Sequence, residues 1–335
     1  MNIGSLNLAL RAMPRSGLTT SPPVLISITP VLGALGGGTH VVAEVDDSGL
    51  VTSLTLGGVA VTGFAVDDAT HVSGDSVAHA AGAVDVIASG PGGASNVLAG
   101  AFTYAFDPAT LALTGWWRAS FASSPWAGNA SAGTSAGRDL SEATNPPAVG
   151  AALNGLTPAD FDGTNDILSS AEDSDTFFDQ NAQSVIALVY LDVAGVADFP
   201  SAPYQENTIT GSDGAGDWGL SLSSASGVRF WRQLILGLAY NSVTAPISTG
   251  AWHLIECKYD GLILSLRVDS GTWQTTLNVL ANTLAGTDQN VGFGLSLSAF
   301  FNGKVAELMF SDLALSDANM DNIKNYINAR YALSL

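Results

Sequence analysis

Short runs of alternating apolar and polar residues fill the chain, as is typical of β-strands with one buried face. Residues 24–30 form an apolar run closed by proline, and residues 39–45 alternate. Residues 51–56 lead to a Gly-Gly pair that predicts a two-residue hairpin turn, and residues 59–66 return. Further runs at 84–88 and 101–106 bring the spacing of strands and turns to about ten residues, which predicts a small β-sandwich.

The rest of the chain continues the β pattern with longer strands. Residues 185–191 are a continuous apolar run, which is typical of a strand buried on both faces. Residues 119–155 are rich in Ser, Gly, Asn and Pro and are predicted to form loops. Further strands are predicted at residues 113–117, 218–222, 228–231, 252–259, 262–268, 292–297 and 303–310.

One segment near the end has helical rather than strand periodicity. Ser316 is a suitable N-cap for a helix over residues 317–331, and Arg330 lies toward its C-terminal end. The apolar residues at helical spacing, which are expected to pack on a sheet, are Met320, Ile323, Ile327 and Tyr331. The predicted fold class is therefore all-β with a C-terminal helix.

The charge balance excludes several classes of partner. The chain has 30 acidic and 11 basic residues, a net charge of −19, so it lacks the basic face that DNA, RNA or an anionic membrane surface requires. No run approaches the ~20 apolar residues of a membrane-spanning helix. Residues 6–10 are too short for a secretory signal, which predicts synthesis in the cytoplasm without export by the general secretory route. The single cysteine, Cys257, is expected to be a buried free thiol.

Residues 1–20 have too little apolar content to fold alone and are interpreted as an N-terminal arm. The arm has two interpretations, since it could dock on its own domain or on a partner or neighbouring copy. Under the second interpretation it anchors the chain to other proteins. The residues expected to make the anchoring contacts are Leu6, Leu8, Leu10, Arg11 and Arg15.

Residues 21–106 carry a series of short motifs that match a known family. In order they read P-x-L-x-S-I-x-P, G-G-G-T-x-V, L-x-L-G-G-V-x-V-T, G-x-V-D-V-x-A-S-G-P-G-G-x-S and F-x-Y. This segment resembles an IPT/TIG domain, which has an immunoglobulin-like β-sandwich fold. The resemblance implies a spacer or protein-binding role without catalysis.

Residues 107–335 resemble the concanavalin A-like lectin/glucanase superfamily, of the laminin G-like kind. The matching motifs are F-D-G-T-N-D-I-L, W-H-L-I-E-C-K-Y-D-G-L-I-L-S-L-R-V-D and F-x-G-K-V-A-E-L-M-F-S-D-x-A-L-S. The resemblance implies a jelly-roll β-sandwich, a fold that hosts lectins, hydrolases and spacers alike. The helix motif N-Y-I-N-A-R-Y is similar to the version found in bacteriophage and bacterial surface proteins.

Catalytic motifs are missing from the sequence. A glycoside hydrolase needs two carboxylates that face each other across a cleft. Glu256 and Glu307 stand alone on their predicted strands and are interpreted as surface residues. The four histidines are scattered and predict no metal or acid–base site. The sequence therefore predicts a protein that is not an enzyme.

Two kinds of binding site remain as candidates. Asp160, Asp162 and Asp166 could bind Ca²⁺, although the same residues could simply form the turn through side-chain hydrogen bonds. Trp126 and Trp273 lie in turn-rich surroundings, where exposed rings could stack on sugars. The tryptophans assigned to the core are Trp116, Trp218, Trp231 and Trp252.

Together these features predict a non-enzymatic structural or adhesion protein of a virion, such as a phage head or tail appendage. Its first domain is expected to project the lectin-like domain toward host-surface glycans. Other virion proteins would be its partners, bound through the N-terminal arm, and a homo-oligomer within the assembly is expected. The alternative is an exported bacterial carbohydrate-binding protein or glycoside hydrolase.

Overall fold

A computed structural model describes residues 21–128, 138–142, 144–173, 177–178, 182–194, 207–212, 218–223, 227–233, 240–278, 288–291 and 300–335. The chain divides into two compact units between Phe106 and Asp107. Each unit has its own hydrophobic core. The anchoring residues predicted in the arm, Leu6 to Arg15, lie outside the described residues.

The first unit is a two-sheet sandwich. One sheet has the strand order β1-β3-β7-β6, and the other has the order β2-β10-β8-β4-β5, with β9 paired to β8. The core between them contains Leu25, Val41, Val86 and Phe102. The strands are β1 Leu25–Thr29, β2 Leu32–Ala34, β3 Gly37–Val45, β4 Ser53–Leu56, β5 Val59–Ala60, β6 Thr62–Val66, β7 His71–Val77, β8 Gly82–Gly90, β9 Gly93–Ala94 and β10 Leu98–Ala105.

The hairpin predicted at the Gly-Gly pair is confirmed. Leu56 pairs with Val59, which leaves Gly57 and Gly58 as the two turn residues between β4 and β5. Both have positive φ, 59° and 80°, as a type I′ turn requires. Glycine meets this requirement without a steric penalty.

The second unit is a larger two-sheet sandwich. An eight-stranded sheet has the order β12-β13-β24-β15-β20-β21-β22, with β11 also paired to β24, and a six-stranded sheet has the order β14-β23-β16-β17-β18-β19. The strands are β11 Leu113–Arg118, β12 Ala148–Val149, β13 Ala159–Asp162, β14 Leu168–Asp173, β15 Gln183–Leu191, β16 Asn207–Ser212, β17 Trp218–Ser223, β18 Gly227–Gln233, β19 Tyr240–Pro246, β20 Trp252–Tyr259, β21 Ile263–Val268, β22 Gln274–Leu277, β23 Asp288–Val291 and β24 Asn302–Ser311.

The core of the second unit lies between these two sheets. Alternate residues of β15, from Val185 to Leu191, point into it, together with Trp117, Trp218 and Phe310. The residues between them on each strand point to the opposite side of the eight-stranded sheet, which we call its outer face. Cys257 lies on the core side and is fully buried, and burial raises the pKa of its thiol well above the usual value. The prediction for this residue is confirmed.

Helix α1, Asp317–Tyr331, packs on the outer face. Ser316 caps it by accepting a hydrogen bond from the backbone N–H of Asn319, as predicted. The four apolar residues at helical spacing are buried, and the Tyr331 hydroxyl oxygen lies 3.2 Å from the backbone carbonyl of Ala306 on β24. Among the described residues, no helix is both long and apolar enough to cross a membrane.

The all-β fold class with a C-terminal helix is confirmed, with local differences. The segment predicted as loops contains the short strand β12, because Ala148 and Val149 pair with Asp160 and Ala159. Strands β7, β16, β19 and β22 were not predicted, since their polar residues hide the alternation. The strand predicted at 292–297 lies outside the described residues.

Candidate functional site

The sequence-predicted sugar platform at Trp126 is wrong. Its indole is 2% exposed, packs edge-to-face against Phe121 and donates its Nε1–H to the backbone carbonyl of Arg118 at 2.9 Å. The turn-rich sequence around Trp126 suggested exposure, but the ring belongs to the core between the two sheets.

Trp273 is half-buried and lies between cationic groups on the outer face. The centre of its ring is 4.6 Å from Lys258 Nζ and 4.6 Å from the guanidinium carbon of Arg267. Lys258 also pairs with Asp317, and Arg267 pairs with Asp321 at 2.9 Å, so both cations link the sheet to α1. Cation–π contacts of this kind hold the ring in a fixed position. A sugar contact at Trp273 stays a prediction.

The three aspartates predicted to bind Ca²⁺ have other contacts. Asp162 Oδ1 accepts the backbone N–H of Thr164 at 2.7 Å, and Asp166 Oδ2 accepts the N–H of Asp162 at 2.8 Å. Asp160 Oδ1 lies 3.5 Å from Lys304 Nζ. In the described part of the chain, no group of three or more His, Cys, Asp or Glu side chains could hold a metal ion. The structure favours the turn interpretation.

Glu256 and Glu307 are buried under α1 and do not lie at the surface as predicted. They are 0% and 1% exposed. Glu256 Oε2 accepts from Arg267 Nε at 2.6 Å, and Glu307 accepts from Trp116 Nε1 and the Tyr331 hydroxyl at 2.6 Å each. Burial raises the pKa of both carboxyls, that of Glu256 to about 7. These contacts join the sheet to the helix and leave neither carboxyl facing an open cleft.

A row of half-buried side chains crosses four neighbouring strands of the outer face. Asp160 on β13 pairs with Lys304 on β24, Lys304 pairs with Tyr190 on β15, and Tyr190 pairs with Trp252 on β20. We call these four residues the outer-face row. Three strand spacings separate its ends, a length of about 14 Å.

The members of the outer-face row contact one another. The rings of Tyr190 and Trp252 are 5.6 Å apart and inclined at 64°. Lys304 Nζ lies 4.9 Å from the centre of the Tyr190 ring and 2.8 Å from Asp192 Oδ2. Burial alone would lower the pKa of Lys304, but Asp192 and Asp160 raise it, so its ammonium group stays charged.

The outer-face row differs from the sequence prediction, which places Trp252 in the core. The β20 residues that face the core are Ile255, Cys257 and Tyr259. Because side chains alternate along a strand, Trp252 lies on the opposite, outer face. The sequence contains a signal for this placement. Trp252 is three positions from the inward Ile255. Tyr190 is one position from the inward Val189, and odd separations put both side chains on the outer face. Only the pairing of the strands shows that the four side chains meet.

A hydrogen-bonded Ser–His–Asp array lies at the beginning of β20. Ser248 Oγ is 2.8 Å from His253 Nε2, and His253 Nδ1 is 2.7 Å from Asp269 Oδ2. Asp269 Oδ1 also accepts the backbone N–H of Leu254 at 2.8 Å. His253 is 9% exposed, while Ser248 is exposed. The array connects the segment before β20 to the end of β21.

Comparisons with known proteins give structural neighbours but no relatives in sequence. No protein-family model matches the chain, and no curated protein matches it significantly. The receptor-binding domain of botulinum neurotoxin mosaic serotype C/D is 10% identical, with a TM-score of 0.48, over 64% of this chain and 51% of that one. Trypanosoma rangeli sialidase is 13% identical, with a TM-score of 0.46, over 64% of this chain and 33% of that one.

A smaller neighbour is the CBM40 domain of Ruminococcus gnavus IT-sialidase, bound to α2,3-sialyllactose. It is 12% identical, with a TM-score of 0.35, over 43% of this chain and 82% of that one. The chain thus spans a third to a half of the length of the sialidase and toxin chains. Similarities at this level supply no argument about ligand, activity or partner.

Proposed function

We propose that the chain is a non-enzymatic adhesion protein whose second sandwich binds glycans. The observation that carries this proposal is the outer-face row, which places two partly accessible aromatic rings beside a carboxylate and an ammonium group. Pyranose sugars have an apolar C–H face and a rim of hydroxyls. Aromatic rings suit the first, and charged donors and acceptors suit the second.

Binding without glycoside hydrolysis is supported by the positions of the strand carboxylates. Glu256 is bonded to Arg267, and Glu307 to Trp116 and Tyr331, under a helix that covers both. A glycosidase instead needs two carboxyl groups on opposite sides of a bound sugar.

The proposal is tested by presenting the full chain to a panel of immobilised glycans and measuring the affinity for positive ligands by calorimetry. We expect reversible binding, with no release of new reducing ends from the bound glycan. A chain that binds no glycan would contradict the adhesion proposal. Hydrolysis that disappears in Glu256→Gln or Glu307→Gln would contradict the absence of catalysis.

The setting we propose for this adhesion is a virion, where the chain would attach to host-surface glycans. Its support is the resemblance of residues 325–331 to a helix motif of bacteriophage and bacterial surface proteins, together with the resemblance of the chain to a spacer domain followed by a lectin-fold domain. Neighbouring genes for capsid and tail proteins would support this setting. Genes for a secretion system and polysaccharide degradation would favour the exported bacterial alternative.

The Ser248–His253–Asp269 array supports a second candidate function, the hydrolysis of an ester. In such an array the serine attacks an acyl carbonyl while histidine Nε2 takes its proton, and the aspartate orients the imidazole. The proton then passes to the leaving alcohol, and water releases the acyl group from the serine. The exposed Ser248 and the two short distances fit these roles.

A fluorophosphonate probe separates this candidate from a purely structural array. An esterase would be labelled at Ser248, and Ser248→Ala would abolish labelling without lowering the melting temperature by more than about 2 °C, since the side chain is exposed. Asp269→Asn keeps the size of the side chain and would slow labelling. We expect no labelling if the array only connects two loops.

A further inference from the structure

The outer-face row offers side chains, and not backbone groups, to a ligand. Lys304 on β24 and Tyr190 on β15 each have a strand partner on both sides, whereas Trp252 on β20 pairs with Tyr190 on one side. A peptide could not add as a strand beside Lys304 or Tyr190, because strand addition requires an unpaired edge. A ligand of this surface must therefore be recognised by the rings of Tyr190 and Trp252 and by the charged groups beside them.

The charged end of the row consists of Lys304 between two carboxylates. Its Nζ lies 2.8 Å from Asp192 Oδ2 and 3.5 Å from Asp160 Oδ1. The two aspartate side chains are 36% and 32% exposed, so oxygen atoms of both can accept hydrogen bonds from a ligand. Each hydroxyl group of a sugar can donate one hydrogen bond and accept others. The two carboxylates can accept from such hydroxyls, and the Lys304 ammonium group can donate to them.

The balance of charge selects among saccharides. Two carboxylates against one ammonium group leave the site with a net negative charge, in a chain whose net charge is −19. A sugar carboxylate or sulfate placed here would be repelled by Asp160 and Asp192. A neutral saccharide meets no such repulsion.

We infer that the outer-face row, with Asp192, is a binding site for a short neutral oligosaccharide. Sugar rings stack on Trp252 and Tyr190 at one end, and vicinal hydroxyls bond to Asp160, Lys304 and Asp192 at the other. The length of about 14 Å accommodates a short oligosaccharide rather than a single sugar. This inference rests on the proposed glycan-binding function and assigns its location and ligand class.

The test compares two tryptophans of the same sheet in the full chain. Trp252→Ala should weaken the affinity for a neutral oligosaccharide by about tenfold or more, because it removes an aromatic stacking surface. Trp273→Ala tests the rival sugar contact near the N-terminal end of α1, and should change the affinity by less than about twofold if the outer-face row is the site. Leu277→Ala, at an exposed position on β22, is the control and should leave the affinity unchanged. Melting temperatures of all the variants establish that each is folded.

A second variant keeps the inference testable if Trp252→Ala does not fold. Asp192 follows β15 and is exposed, so Asp192→Asn should leave the fold intact and weaken binding severalfold. The same protein is offered neutral oligosaccharides and their sialylated or uronic-acid counterparts, and we expect the neutral ligands to bind more tightly.

The outcomes separate the inference from the proposed function. If the unchanged chain binds no glycan, the proposed function itself fails. If it binds glycans and Trp273→Ala abolishes binding while Trp252→Ala and Asp192→Asn do not, the function stands and this location is wrong. Tighter binding of the acidic saccharides would overturn the ligand class.

Discussion

Replacing Glu307 by alanine should lower the free energy of unfolding of the second sandwich by about 3–5 kcal/mol. The carboxyl accepts hydrogen bonds from Trp116 on β11 and from Tyr331 on α1, and Arg330 Nε lies 3.7 Å away. Alanine would leave the buried Trp116 indole N–H without its acceptor, would leave the Tyr331 hydroxyl only the longer contact to the Ala306 carbonyl, and would open a cavity between sheet and helix.

Tryptophan fluorescence during urea denaturation measures this effect in the full chain. All seven tryptophans follow residue 106, so the signal reports the second unit alone. Glu307→Gln, the matched control, preserves the size of the side chain and one carbonyl acceptor, and should cost less than half as much. A loss of under about 1 kcal/mol for Glu307→Ala would show that the carboxyl does not join helix to sheet.

Glu256 should make the second sandwich less stable as the pH rises. Its folded-state pKa of about 7 lies above the ordinary value of 4.5, chiefly because burial disfavours the charged form. The folded state therefore binds a proton that the unfolded state has already lost between these two pH values. The contribution of Glu256 to stability is fully present below pH 4.5 and is lost as the pH rises through 7, a change of about 3 kcal/mol.

Glu256→Gln isolates this contribution because glutamine does not titrate. We expect the free energy of unfolding to decline between pH 5 and 8 in the unchanged chain and to decline less in the variant, again by tryptophan fluorescence. Burial raises the pKa of Glu307 as well, so some slope remains in the variant. Equal slopes in the two proteins would contradict the assignment.

The strands and the helix were largely predictable because their signals are local. A continuous apolar run located β15, and the Ser316 cap together with apolar spacing gave both ends of α1. The burial of Glu256 and Glu307 was not predictable in this way. A carboxylate on the side of a strand opposite the core is expected at the surface, and only the packing of α1 on that side covers it.

The candidate site was harder to predict because it depends on pairing between distant segments. Lys304 lies beside Tyr190 only because β24 inserts between β13 and β15, more than one hundred residues along the chain from each. A register shift between β15 and β24, at Leu188 and Val189, further decides which side chains of β24 face outward. The turn-rich sequence around Trp126 therefore predicted an exposed ring in a loop, whereas the accessible ring of Trp252 lies at the first residue of a strand.

The central position of β24 has a consequence for the order in which the second sandwich can form. Residues 302–311 pair with β11, β13 and β15, so each of these three earlier strands has an unpaired edge until β24 has been synthesised. Contacts so distant in sequence close large loops before they yield any stabilisation, which is typical of slow folding. On the ribosome the emerging chain would hold open, hydrophobic strand edges until residues 302–311 emerge, a state prone to aggregation. Completion of this sheet therefore follows the synthesis of all its other described strands.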